Sequence, residues 1–167
     1  MKKNILVLVD WSNISFNMDS EPPERFSPTV GFERFLNWLK EEGDIFSVFV
    51  FTDKVHGIAY ADFFYQLGFY TIVCPRINTE RGEIDTTDET LRKFGELMIE
   101  NAPEITHLCI ASGDYDFIGL ARKAKLTGKK VMIMAADYKS LSDEFAKIAD
   151  KDESGKPMIH IFHPIID

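Results

Sequence analysis

The chain has 167 residues, 45% hydrophobic and 28% charged, with 27 acidic against 19 basic side chains and a formal net charge of −8. That length and apolar content support one substantial core and argue against disorder. The acidic balance excludes attraction to nucleic acid or an anionic membrane through bulk charge alone. A polyanionic ligand would have to be met by local basic groups or by bound metal. Two cysteines, Cys74 and Cys109, sit beside apolar stretches without CxxC spacing, so they read as buried thiols and not as a disulfide framework. Nothing approaches the ~20 apolar residues of a membrane span, and the apolar run before Asp10 is too short for a signal peptide. The expectation is one domain over residues 1–167, soluble and cytoplasmic.

Ile5 to Val9 is a continuous, largely β-branched run and predicts a central, parallel strand buried on both faces, ended by Asp10. Residues 19–28 carry three prolines and four charges and predict a loop or flap. Phe32, Phe35, Leu36 and Leu39 repeat at helical spacing, and Gly43 closes that helix. Ile45 to Phe51 predicts a second strand, Ile58 to Leu67 a helix stopped at Gly68, and Tyr70 to Cys74 a third strand. Residues 76–83 predict a loop or small hairpin. Thr86 to Glu100 predicts a long helix, with Thr86 and Glu89 matching a capping box. His107 to Ala111 is the fourth predicted strand. Asp114 or Asp116 opens a helix running to about Leu126, and Val131 to Ala135 is the fifth strand. Lys139 to Ala149 predicts another helix, Lys151 to Lys156 a charged turn, and Ile159 to Phe162 a short edge strand. Strands alternating with helices imply a three-layer α/β fold around a mainly parallel sheet of about five to six strands.

Open parallel sheets bind ligands beyond the carboxyl ends of their strands. That rule selects Asp10 with Asn13, the Ser112-Gly113-Asp114-Tyr115-Asp116 segment, and Asp85 to Asp88 at the start of the long helix. Singly, Asp114 and Asp116 also suit a helix cap, Asp85 and Asp88 a first helical turn, and Asn13 a turn. Asp10, directly after a buried strand, needs a partner. Carboxylates gathered at one edge repel one another unless a proton or cation intervenes, and a hard divalent cation suits them. A GxGxxG turn, a P-loop, a G-x-S-x-G elbow and zinc spacing of the four histidines are all absent from the sequence. A receiver-like phosphoacceptor needs an aspartate at the end of the third strand, where this chain has Cys74-Pro75.

Ile5 to Asp10 with Asn13, then Asp88-x-x-Leu91, then Ser112-Gly113-Asp114-Tyr115-Asp116-Phe117, then Gly128-Lys129-Lys130-Val131, resembles the NYN domain, the LabA-like branch of the PIN-like nucleases. The resemblance spans nearly the whole chain. It implies a Rossmann-like PIN fold and metal-dependent ribonuclease activity with Mg²⁺ or Mn²⁺. Asp10, Asp88, Asp114, Asp116 and Asn13 take the catalytic positions. The metal ligands come from Asp10, Asp88, Asp114, Asp116 and, as second choice to Asp88, Asp85. Arg81-Gly82-Glu83-Ile84-Asp85 imitates the family's K-G-V-D context, yet only Asp88 has a leucine three residues on. A further family aspartate falls on Phe94. Ser112, Tyr115, Trp11, Arg81 and Arg92 are the substrate-binding candidates, with Trp11 and Tyr115 as stacking platforms for a base, and Arg76, Lys93, Arg122 and Lys123 as further cations. The expected partner is RNA; a homodimer is compatible with the aromatic Phe63 to Tyr65 segment. The alternative is a module of the same fold that binds RNA without cutting it.

Overall fold

In the computed structural model, residues 2–18 and 27–162 are described. Strand β1 (Asn4–Asp10) is followed by helices α1 (Trp11–Met18) and α2 (Pro28–Glu42), then β2 (Asp44–Thr52), α3 (Lys54–Gln66) and β3 (Tyr70–Val73). A hairpin, β4 (Arg76–Thr79) and β5 (Gly82–Asp85), leads into α4 (Thr87–Asn101) and β6 (His107–Ala111). A 3₁₀ turn (Tyr115–Phe117) precedes α5 (Ile118–Leu126), β7 (Lys130–Ala135), α6 (Asp143–Ala146) and β8 (Ile159–Ile161).

Six strands form one parallel sheet in the order β3-β2-β1-β6-β7-β8. Period-two alternation along β1 divides the core. Ile5, Val7 and Val9 face a layer built from α1, α2 and α3, including Ile14, Phe32, Phe35 and Phe64. Leu6 and Leu8 face the layer of α4 and α5, with Leu91, Ile99, Leu120 and Ala124. All five of these β1 side chains are fully buried, as a central parallel strand requires. The chain winds from β1 to β3 across one face and returns through α4 to β6, β7 and β8 across the other. A constant crossover handedness demands this change of face. The strand order therefore reverses between β1 and β6, and the carboxyl ends of these two strands flank the reversal.

Several expectations need correcting. A helix follows β1 directly, beginning at Trp11, where the sequence carries no clear periodic signal. The loop expected over 19–28 lies outside the described residues except Ser27 and Pro28, which cap and open α2. Helix α3 starts at Lys54, earlier than expected, because the Asp53 carboxylate accepts the His56 amide as its N-cap. The capping box at Thr86 does not form. Asp85 Oδ1 accepts the Thr87 amide (2.9 Å), Thr86 Oγ1 donates to the Pro75 carbonyl, and Glu89 pairs with Lys93. The helix expected over 139–149 shrinks to Asp143–Ala146, because Asp137 and Ser140 close a turn in which Ser140 N donates to Asp137 Oδ1 (2.7 Å). No helix among the described residues is long and apolar enough to cross a membrane.

One buried cation ties α4 to β7. Lys129 is 7% exposed, and its Nζ donates to the carbonyls of Ile105 (2.7 Å) and Ala102 (3.4 Å), just past the end of α4. Lys129→Met would fill the space yet leave both carbonyls without that donor. We expect a loss of about 1–3 kcal/mol in urea denaturation; an unchanged midpoint would show that water replaces the ammonium.

Candidate metal centre at the carboxyl edge of the sheet

Asp10 is the last residue of β1 and is 3% exposed. Its Oδ1 accepts the Asn13 amide (3.3 Å) from the first turn of α1, and its Oδ2 accepts Ser112 Oγ (3.4 Å) from the end of β6. The Gly113 amide donates back to Asn13 Oδ1 (3.4 Å). Two segments about 100 residues apart in sequence are thus stitched together across the strand-order reversal. Asp114 then caps the 3₁₀ turn: its amide donates to Ser112 Oγ (3.2 Å) and its Oδ1 accepts the Asp116 amide (2.9 Å). Helix α4 delivers Asp88 in its first turn.

The carboxylates of Asp88, Asp114 and Asp116 each offer an oxygen within 4.8 Å of the others. No Lys, Arg or His lies within ion-pair distance of any of the three among the described residues. Asp88 is pushed above the usual carboxylate range, first by burial and then by Asp114, Asp116 and Asp85, against a smaller opposing pull from Arg92. Beneath the trio, Asp10 is pushed up to about 7. Burial is the largest cause and Asp88 the next; Asp114 adds to it, while the bonds from Asn13 and Ser112 oppose it. The donor set is all carboxylate oxygen, uncompensated and partly dry, which fits a hard divalent cation and not a soft metal.

The residues singled out in the sequence separate into three groups. Asp88, Asp114 and Asp116 come together; Asp10 adjoins them electrostatically, outside the trio itself. Asp85 also lies outside it, capping α4 and adding repulsion at Asp88. Ser112 is fully buried, so its hydroxyl serves Asp10 and Asp114 and not a substrate. Trp11 is likewise fully buried between Phe32, Tyr60 and Phe64, which rules out stacking on a base. A residue following a buried strand into a helix turns under the sheet's helical layer, and burial wins for so large a side chain. Tyr115 is 41% exposed beside the trio. Arg92 is exposed one helical turn beyond Asp88, whereas Arg81 sits at the hairpin turn, about 13 Å along the strand from Asp85. Lys93 and Lys123 are taken by Glu89, and by Glu96 and Glu100, respectively. Phe94, at the position where the family pattern has an acid, packs on Phe49 and Phe51.

Sequence reasoning passed over Asp53 and His56. The signal was present: Asp53 follows the second apolar strand as Asp10 follows the first. Asp53 is 8% exposed and its Oδ2 lies 2.8 Å from His56 Nδ1.

Gly113 fixes the loop that carries Asp114 and Asp116. A Cβ at Gly113 would stand 2.2 Å from the Ser140 carbonyl oxygen, a backbone atom that cannot swing aside. Gly113→Ala should cost roughly 1–3 kcal/mol and displace the loop. A thermal melt beside a Mn²⁺ titration checks both effects, and an unperturbed variant would mean that the loop after β7 yields freely.

A crystal structure of a protein of unknown function from Vibrio parahaemolyticus RIMD 2210633 superposes with a TM-score of 0.67 over 96% of this chain and 92% of that one, at 16% identity, which establishes a shared fold. No curated protein sequence matches the chain. The family model of the NYN domain matches residues 4–153, from the first residue of β1 to beyond α6. The chain belongs to the NYN domain family, within the PIN-like nuclease superfamily.

Proposed function

We propose that this protein is a metal-dependent ribonuclease that hydrolyses RNA phosphodiester bonds at the edge formed by β1, β6 and the start of α4. One observation carries the reading: three uncompensated carboxylates meet at the strand-order reversal of an NYN chain, above a buried Asp10. Asp88, Asp114 and Asp116 would hold Mg²⁺ or Mn²⁺, with Asp10 beneath them. When bound, the cation supplies Lewis acidity at a phosphoryl oxygen and lowers the pKa of a water. It also reverses the local sign of charge, which lets RNA approach a protein of charge −8.

The chain's own groups do the positioning. Asn13 and Ser112 hold Asp10 through one hydrogen bond each and keep the β1 and β6 loops in register. Asp114 holds the Asp116 amide, so the two carboxylates move as one turn. Tyr115 presents a half-open ring on which an unpaired base stacks. Arg92 brings a positive charge to the same helical face as Asp88.

Phe94 in place of an acid favours a second reading, an RNA-binding module without turnover. Labelled single-stranded and structured RNA, incubated with Mg²⁺ or Mn²⁺, separates the two. Cleavage that stops in EDTA supports the nuclease. RNA binding that survives EDTA, with no products even when Mg²⁺ or Mn²⁺ is supplied, supports the second reading; the absence of both metal binding and cleavage removes the first.

A further inference from the structure

We propose that the pocket at the carboxyl ends of β2 and β3 holds one nucleotide of a single-stranded RNA beside the acidic trio; this rests on reading the trio as a nuclease centre. The pocket is an open cleft of about 750 Å³, roomy enough for a nucleotide. Its apolar walls are Val55, Val73 and Pro75, of which Val55 is 75% and Val73 49% exposed. Such side chains are left open to water at the mouth of a cavity and offer the flat face of a base an apolar surface.

Basic side chains supply the other half of the recognition. Lys54, His56 and Arg76 line the same cavity. Among the described residues, neither Lys54 nor Arg76 makes an ion pair. Asp53 is the one acid among the described residues of the lining, and it is already committed. Its Oδ1 accepts the His56 amide (2.9 Å) and its Oδ2 meets His56 Nδ1 (2.8 Å). Burial alone would raise Asp53, but the two His56 bonds, the charge of that ring and nearby Arg76 outweigh it and hold the carboxyl below its ordinary value. An ionised, buried carboxylate of this kind fixes the imidazole and leaves Nε2 to a ligand. A phosphate between Arg76 and His56 Nε2 places its base against the valines and Pro75, with Lys54 free to screen the phosphate charge.

The Pro75–Arg76 wall of the pocket is tied to the segment that delivers Asp88. The Pro75 carbonyl accepts Thr86 Oγ1 (2.6 Å), two residues before Asp88, and Arg76 pairs in register with Asp85, whose charge is felt at Asp88. Charge complementarity sets the polarity: the phosphate lies on the cationic side and the bond to be cut on the acidic side. Bases in a duplex present no free face to such a pocket, so single strands are selected.

The test combines kinetics with methyl NMR. In cleavage of a single-stranded RNA with Mn²⁺, Arg76→Ala should raise KM about tenfold and His56→Gln several-fold, with kcat changed by no more than about twofold. In EDTA, a seven-nucleotide RNA should shift the Val55 and Val73 methyl signals of the wild type and not of Arg76→Ala, and the matching duplex should leave them in place. Unchanged KM in both variants of a cleaving enzyme overturns the proposal. So does adenosine 5′-monophosphate shifting these methyls when the RNA does not, which would mark a site for free nucleotides. If the wild type cuts nothing, methyl shifts with the RNA still uphold the pocket while the nuclease reading falls.

Discussion

Asp114→Asn should lower RNA cleavage at least a hundredfold, about 2.7 kcal/mol of transition-state stabilisation, while leaving the fold intact. The substitution separates the two duties of this side chain. Its Oδ1 accepts the Asp116 amide, and an asparagine oxygen can do the same, so the 3₁₀ turn keeps its cap. What disappears is one of the three carboxylate charges that face one another without a basic partner. Mn²⁺ affinity by calorimetry should fall in step with activity. Metal-free thermal stability should hold or rise slightly, because repulsion at Asp88 is relieved. Asp88→Asn should behave alike. Cleavage that persists in both variants would place the chemistry elsewhere or in a contaminant.

Asp10→Asn should stabilise the metal-free protein at pH 8, by about 2–4 kcal/mol, and damage cleavage at the same time. The carboxyl titrates at about 7 in the folded protein and near its ordinary 3.8 in the unfolded chain. Between those values the folded state binds a proton that the unfolded chain has released, so stability falls as pH rises through this window and levels off above it. The distance between the two titrations sets an upper limit of ~4 kcal/mol. Asparagine keeps an oxygen for the Asn13 amide or the Ser112 hydroxyl and has no charge to desolvate. Melting temperatures measured from about pH 4 to about pH 9 should converge for wild type and variant at the acid end and separate by roughly 5–10 °C at the alkaline end. A cation binding above Asp10 should narrow the gap. Parallel curves across the whole range would refute the buried, proton-holding Asp10.

Strand-end position made much of this legible. Asp10 ends an uninterrupted apolar run and Asp114 follows another, so both lie at the carboxyl edge once the sheet is parallel. The buried halves of β1, β6 and β7 needed no tertiary knowledge either, since both faces are covered and no polar residue interrupts them. Four things lay beyond local signals. The capping box at Thr86 and Glu89 is a local signal, and Asp85 overrode it from the preceding strand. The spacing of Leu141, Phe145 and Ile148 satisfies a helix, but the turn at Asp137 to Ser140, pressed against Gly113, leaves room for only one helical turn. Trp11 beside an aspartate resembled a stacking platform, and nothing local says that α1 follows without a break and carries the ring inward. The membership of Asp116 in the trio depends on a 3₁₀ turn of three residues, a geometry that periodicity does not encode.

The stitching of Asp10 to Ser112 and of Asn13 to Gly113 also has a temporal meaning. Loops of about 100 residues must close before these bonds form, and such closures come late. A polypeptide emerging from the ribosome exposes Asp10 first and acquires Asp114 and Asp116 only after two thirds of this domain has been made. Until β6 slots in beside β1, the three carboxylates do not meet at the edge of the sheet. Under the proposed ribonuclease reading, two thirds of the domain is therefore made beside messenger and ribosomal RNA before the acidic centre exists.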